Sequence, residues 1–218
     1  MPQSTRKAQH PRPSKKERTR SELLRTGKDM LLEHGPDALT LRALAERTGL
    51  SHTSLYYHFP DQTSFLQALR FEIIEDIIRE LTQEGTQHDD PVEALCLLFW
   101  QYTDWFRQHR HAFRFLFQAA PPPMLTDMDA QARQQLDDRL QAQWHQSFGR
   151  LVADGRVRPN NVEMVAKTLI YAVQGMLMLQ LSSNGPEETG HWRQELSALI
   201  RFVLGLPTDG SGKDVDHV

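Results

Sequence analysis

The sequence predicts an all-α protein of about nine helices, with a three-helix helix-turn-helix unit at the N-terminus and a larger helical bundle behind it. Two observations carry this prediction. Apolar residues recur at helical spacing along most of the chain, and no segment alternates convincingly with period two, so no strand is expected. Gly- and Pro-containing breaks then divide the pattern into pieces of ordinary helix length. Hydrophobic residues are 39% of the 218, enough for a sizeable core, and 24% are charged.

The first 15 residues hold three prolines and several cations without apolar periodicity, and read as a disordered basic arm. A first helix fits Lys16 to His34, with Leu23, Leu24, Gly27, Met30 and Leu31 on or beside one face. Gly35 and Pro36 stop it. Thr40 is the natural N-cap of a second helix, Leu41 to Arg47, and Ser51 that of a short third helix, His52 to His58. Phe59 precedes Pro60 and is pushed out of helical geometry. Asp61 caps a long fourth helix carrying Phe65, Leu66, Leu69, Ile73, Ile74, Ile77, Ile78 and Leu81. Further helices are expected over roughly 91–109, 111–120, 127–154, 160–183 and 188–205. The resulting organisation is a basic arm (1–15), a head (16–62), a body (63–206) and a disordered tail (207–218).

Charge is divided as sharply as pattern. Residues 1–60 hold 11 Lys and Arg against 6 Asp and Glu, while the remainder holds 14 against 22. A basic head on an acidic body points the head at a polyanion. No signal-type h-region and no membrane-length apolar run is read in the sequence, and Cys96 is the single cysteine. These features exclude disulfide scaffolds and cysteine-based zinc sites, and a cytoplasmic protein is expected. No Gly-rich phosphate loop and no Ser/His/Asp or paired acid/base constellation stands out, so neither an enzyme nor a cofactor or metal is expected. His109 and His111 point to different helix faces with no further ligand at useful spacing.

The decisive stretch is Leu39 to Leu69, LTLRALAERTGLSHTSLYYHFPDQTSFLQAL. Two short helices joined by a turn containing Gly49 make a helix-turn-helix, whose second helix enters the major groove. Ala45 is small where the helices cross, and Leu44, Leu50 and Leu55 lock their angle. His52, Thr53, Ser54, Tyr57 and His58 are left on the outside, a polar and aromatic surface suited to base edges and phosphates.

This stretch, ALTLRALAERTGLSHTSLYYHF with its flanking helices, resembles the tetracycline-repressor family of bacterial regulators over about Lys16 to Leu69. The remaining three quarters is similar only in helix count and length. The resemblance implies that Thr40 caps the second helix and touches a phosphate while Arg42 projects toward a base. It gives most base contacts to His52, Thr53 and Tyr57, with Ser51 and Ser54 nearby, and phosphate contacts to Tyr56 and His58. The family's lysine at the start of the fourth helix is here Gln62; backbone N–H groups at that helix end remain available to phosphate. The cations Arg6, Lys7, Arg12, Lys15, Lys16, Arg18 and Arg20 are expected to make up for the missing charge.

The resemblance also implies a small effector in the body, for which the sequence offers Phe99, Tyr102, Thr103, Phe113, Phe117, Trp144, Tyr171, Gln174 and Met178. Aromatics and methionines interleaved with Gln101, Gln118 and His145 suit an amphiphilic molecule. The late helices carry Leu169, Val173, Leu177, Leu196, Leu199 and Val203, the expected faces of an intermolecular four-helix bundle. The sequence thus reads as a homodimeric, ligand-responsive regulator, a repressor of a palindromic DNA operator. The rival reading is an architectural or protein-partnered DNA-binding factor of the same fold without a small ligand.

Overall fold

The computed structural model describes residues 14–83, 88–118, 134, 138, 146–182 and 189–208. The chain divides into two compact units, Met1–Glu72 and Ile73–Val218. Every regular element among the described residues is helical.

In the first unit, α1 spans Lys15–His34. Its start is fixed by a reciprocal capping box: Glu17 N–H donates to Ser14 Oγ at 3.2 Å, and Ser14 N–H donates to the Glu17 carboxylate at 2.6 Å. Gly35 ends α1, and a 3-10 turn, Pro36–Ala38, leads to α2, Leu41–Thr48. Thr40 Oγ1 accepts from Ala43 N–H at 3.0 Å. Gly49 then reverses the chain at φ 67°, the left-handed region in which a β-carbon is costly. Ser51 caps α3, His52–His58, by accepting from Ser54 N–H at 3.2 Å. Phe59 is extended, and α4 follows over Gln62–Gln83, capped by Asp61, whose Oδ1 accepts from Ser64 N–H at 2.7 Å.

Leu31, Leu44, Leu55, Phe59, Phe65 and Leu69 close a common core in this unit, each buried to within 1% of complete. The packing of α1 on α4 depends on Gly27. A β-carbon there would stand 2.6 Å from Phe65 Cζ. Leu50, expected to lock the helix-turn-helix with Leu44 and Leu55, is only half-buried.

In the second unit, α5 runs Pro91–Gln108, beginning at an Asp90 cap. The single helix expected over 111–120 is instead a short α6, Arg110–Phe113, that passes into a π-turn, Arg114–Gln118. Of the helix expected over 127–154, the described part is helical at 134, 138 and over 146–153, the last being α7. A 3-10 turn, Pro159–Asn161, precedes α8, Val162–Ser182, and α9 is Thr189–Val203. α5 packs against both α8 and α9. Phe106, Phe113, Phe148, Leu169, Leu177 and Ile200 form its buried centre. Trp192 is buried there too, its indole N–H donating to Thr103 Oγ1 at 3.3 Å.

Pro159–Leu181 is long and apolar enough to cross a membrane by length and composition alone, a test that the core helix of a helical protein also passes. Lys167 and Glu163, paired at 2.6 Å on its outer side, are the charges that interrupt its apolar run.

Candidate nucleic-acid interface and body cavity

The outer face of α3 carries the side chains expected to read DNA. His52 and Thr53 are exposed, and Tyr56 and Tyr57 are 53% and 67% exposed. A tyrosine left this far in water loses the benefit of burying its ring, unless a partner covers it. Ser54 and His58 are half-buried at the edges of the face. Leu55 alone turns fully inward and pins α3 to the unit's core.

Two cations from α1 reach this helix. Lys16 Nζ lies 4.7 Å from the Tyr57 ring centroid, and the Arg20 guanidinium lies 4.4 Å from that of Phe59. Arg20 also donates to the His58 carbonyl at 3.1 Å, satisfying an orphan acceptor at the C-terminal end of α3. Partial burial, then the charges of Lys16 and Arg20, push the His58 imidazole below its ordinary value. Arg20 was grouped by sequence with the phosphate-seeking arm. The structure makes it a half-buried strut that holds the recognition helix. The signal for this was present in the one-turn spacing of Lys16 and Arg20 on α1, but not the partner. The arm's Arg6, Lys7 and Arg12 lie outside the described residues.

At the remaining positions the structure is equally specific. Ser51 and Thr40 have their hydroxyls committed to capping. Arg42 is largely exposed and pairs with Glu46 on its own helix at 3.0 Å, so any base contact exchanges that carboxylate for DNA. Gln62 is turned to another use: its Nε2 donates to the Leu39 carbonyl at 3.2 Å, tying the start of α4 to the segment before α2. At that helix end, where backbone contact to a phosphate is expected, Asp61 acts as the cap. The Asp61 carboxylate accepts from the backbone and hydroxyl of Ser64, and these bonds hold its carboxyl below the usual range. A fixed anion there repels a phosphate rather than inviting it.

The second unit holds a cavity of about 260 Å³. α4 supplies Ile74, Ile77, Ile78 and Leu81, α5 supplies Leu98, Phe99, Tyr102 and Phe106, and Leu116, Phe117, Ile170 and Gln174 complete it. Four of the nine expected ligand residues therefore line it: Phe99, Tyr102, Phe117 and Gln174. Thr103 does not; it is fully buried, and its hydroxyl joins the Trp100 carbonyl and the Trp192 indole. Phe113 lies one layer behind, its ring 5.1 Å from that of Phe117. Tyr171 and Met178 are exposed at 67% and 46%, away from the cavity. Trp144 and His145 fall outside the described residues. The amphiphilic lining expected from sequence is corrected as well, since Tyr102 and Gln174 are the only polar side chains among the described lining residues.

Most of the late-helix residues expected at an intermolecular face point into the chain. Leu169, Val173, Leu177 and Leu196 are buried within the chain itself, while Leu199 and Val203 are half-buried. The opposite faces of α8 and α9 instead expose Met164, Tyr171, Met178, Leu179 and Phe202, up to 78% at Leu179.

A capped helix-turn-helix with an exposed polar and aromatic face, followed by an all-helical unit with an apolar cavity, defines a class: a helix-turn-helix DNA-binding regulator. Comparison with known proteins makes this specific. Residues 23–69 match the family described as bacterial regulatory proteins, tetR family. The chain is 26% identical to the HTH-type transcriptional repressor KstR2 of Mycolicibacterium smegmatis, across 70% of this chain and 75% of that one. It is 27% identical to an HTH-type transcriptional regulator of Mycobacterium tuberculosis over 35% of this chain, a match spanning 41% of that relative's length. The fold is similar to that of RolR crystallised with resorcinol, with a TM-score of 0.68 at 19% identity, covering 89% of this chain and 91% of that one. The match to the tetR family thus covers the helix-turn-helix and the start of α4, about a fifth of the chain.

Proposed function

We propose that the protein is a ligand-gated transcriptional repressor that binds a palindromic DNA operator as a homodimer. The single observation that carries this reading is the face of α3, where His52, Thr53, Tyr56 and Tyr57 are exposed together on a helix fixed at both ends. Tyr57 and His52 are suited to base edges. Lys16, Tyr56 and the His58 edge are suited to phosphates. Repression is favoured by the named activity of the KstR2 relative. Its site of action is the cytoplasm, with the DNA it binds.

One recognition helix reads too few base pairs to single out a site, and a two-fold pair reads two half-sites. The exposed apolar faces of α8 and α9 supply the contact for such a pair. Leu179 and Phe202, 78% and 76% exposed, are natural anchors of an isologous four-helix interface. The membrane-length apolar run of α8 then has a partner helix to face rather than lipid.

Gating follows from α4. This one helix carries Phe65 and Leu69 in the core of the first unit and Ile74, Ile77 and Ile78 at the cavity of the second. A ligand that binds one position of α4 better than another shifts the population of DNA-competent dimers, and only to the extent of that difference.

Selection of random duplex DNA by the purified chain tests the reading. Enrichment of one palindrome with half-sites about 34–36 Å apart supports it. Enrichment of no sequence, with binding that simply weakens as salt rises, rejects it in favour of an architectural role.

A further inference from the structure

We propose that the body cavity takes an uncharged, largely apolar ligand of about ten non-hydrogen atoms carrying one hydroxyl or carbonyl that bonds to the Tyr102–Gln174 pair. The proposal rests on the ligand-gated reading above and gives that ligand its chemistry.

Charge is decided first. Ten of the twelve described lining residues are hydrocarbon, and none is ionisable at neutral pH. A carboxylate or ammonium seated there would lose its hydration with no opposite charge among the described lining residues to replace it, a cost no hydrocarbon contact of this size offsets. Fatty acids and cationic amphiphiles are therefore poor occupants, whereas a neutral ring system matches the walls.

Size follows from volume. A cavity of about 150 Å³ holds benzene, so one of about 260 Å³ holds about ten heavy atoms at the same density. The rings around it favour a flat occupant. Phe106 meets Phe117 edge-on at 5.6 Å and Tyr102 edge-on at 5.0 Å, which leaves ring surfaces for an aromatic guest. Leu116 and Phe117 come from the π-turn, a local irregularity of the kind found where helices border ligand sites.

Among the described lining residues, polarity is confined to one point. Gln174 Nε2 donates to the Tyr102 hydroxyl at 3.5 Å, at the long limit of a hydrogen bond. That weak contact leaves the phenol hydrogen and the Gln174 carbonyl oxygen for a ligand that both accepts and donates. Burial pushes the Tyr102 phenol above its ordinary value, so it stays a neutral donor at any physiological pH. A single hydroxyl seated between the two converts the long contact into a closed, satisfied network.

Equilibrium dialysis of the full chain at neutral pH against three probes of one shape, naphthalene, β-naphthol and β-naphthoate, tests this. The expected order is β-naphthol tightest, naphthalene about fivefold to tenfold weaker for want of its hydrogen bonds, and ionised β-naphthoate at least about 100-fold weaker. In the Tyr102→Phe/Gln174→Leu double variant, naphthalene should still bind, which shows the cavity is intact, while the preference for β-naphthol disappears. β-Naphthoate binding as well as β-naphthol overturns the assigned chemistry and leaves ligand gating standing. A β-naphthol preference that survives in the double variant overturns the role of the pair. Failure of all three probes to bind, with duplex binding retained, overturns both the assignment and the ligand-gated reading.

Discussion

At the scale of single residues, two glycines carry opposite kinds of constraint. Gly49 is needed for its backbone: replacement by Ala leaves its φ of 67° strained and should cost about 1 kcal/mol, read as a lower urea midpoint. Gly27 is needed for its missing side chain. Ala there drives a β-carbon into Phe65, which is fully buried and cannot swing away, and should cost about 1–3 kcal/mol. Only the first was legible in sequence, because a turn announces its glycine locally whereas Gly27 on α1 meets Phe65 on α4, 38 positions further along the chain. Asp61 adds a pH dependence. Hydrogen bonds from Ser64 lower its carboxyl relative to the unfolded chain, so its capping contribution is complete above pH 3.8 and is lost as pH falls through the lowered native value. The difference in Tm between the wild type and Asp61→Ala should accordingly narrow on acidification below the ordinary carboxylate range, and a difference that stays constant throughout would contradict the cap.

At the scale of elements, the helices that position the head were legible nearly to the residue. Thr40, Ser51 and Asp61 each have a side-chain oxygen that the following turn needs, and each is used as expected. The use of α8 was not legible in the same way. Its existence follows from composition, but both of its faces are apolar, so periodicity could not decide which one the chain buries. The choice is made by α5 and α9, which cover Leu169, Val173 and Leu177 and leave Met164, Tyr171 and Leu179 outside. The prediction at this scale is that Leu179→Glu gives a folded monomer in sedimentation with weakened operator binding. A dimer that persists at micromolar concentration would move the interface elsewhere. The π-turn after α6 was equally invisible, since Arg114–Gln118 has the composition of an ordinary helix and only its packing shifts the hydrogen-bond register.

At the scale of the whole molecule, the charge asymmetry and the helix-turn-helix string made the DNA-binding class readable from about a quarter of the chain, and residues 23–69 match the tetR family. The body was readable only as helices. What its cavity can hold depends on which side chains face it, and Tyr102 and Thr103, adjacent in sequence, go to the cavity and to a buried Trp192 contact respectively. Sequence also missed Arg20 as the strut of α3, because its acceptor, the His58 carbonyl, lies 38 positions along the chain. Arg20→Ala should therefore weaken specific DNA binding by about tenfold while changing the salt slope little, since it removes a positioning bond rather than a phosphate contact.

The proposed operator recognition stands on sequence reading by the exposed face of α3. The most direct test is the ratio of affinities for the selected palindrome and a scrambled duplex, measured for the wild type and Tyr57→Ala at one salt concentration. The wild-type ratio should be at least about 10³, reduced about tenfold or more in the variant with the scrambled-duplex affinity nearly unchanged. A ratio near one in the wild type, or an equal loss on both duplexes in the variant, would contradict it.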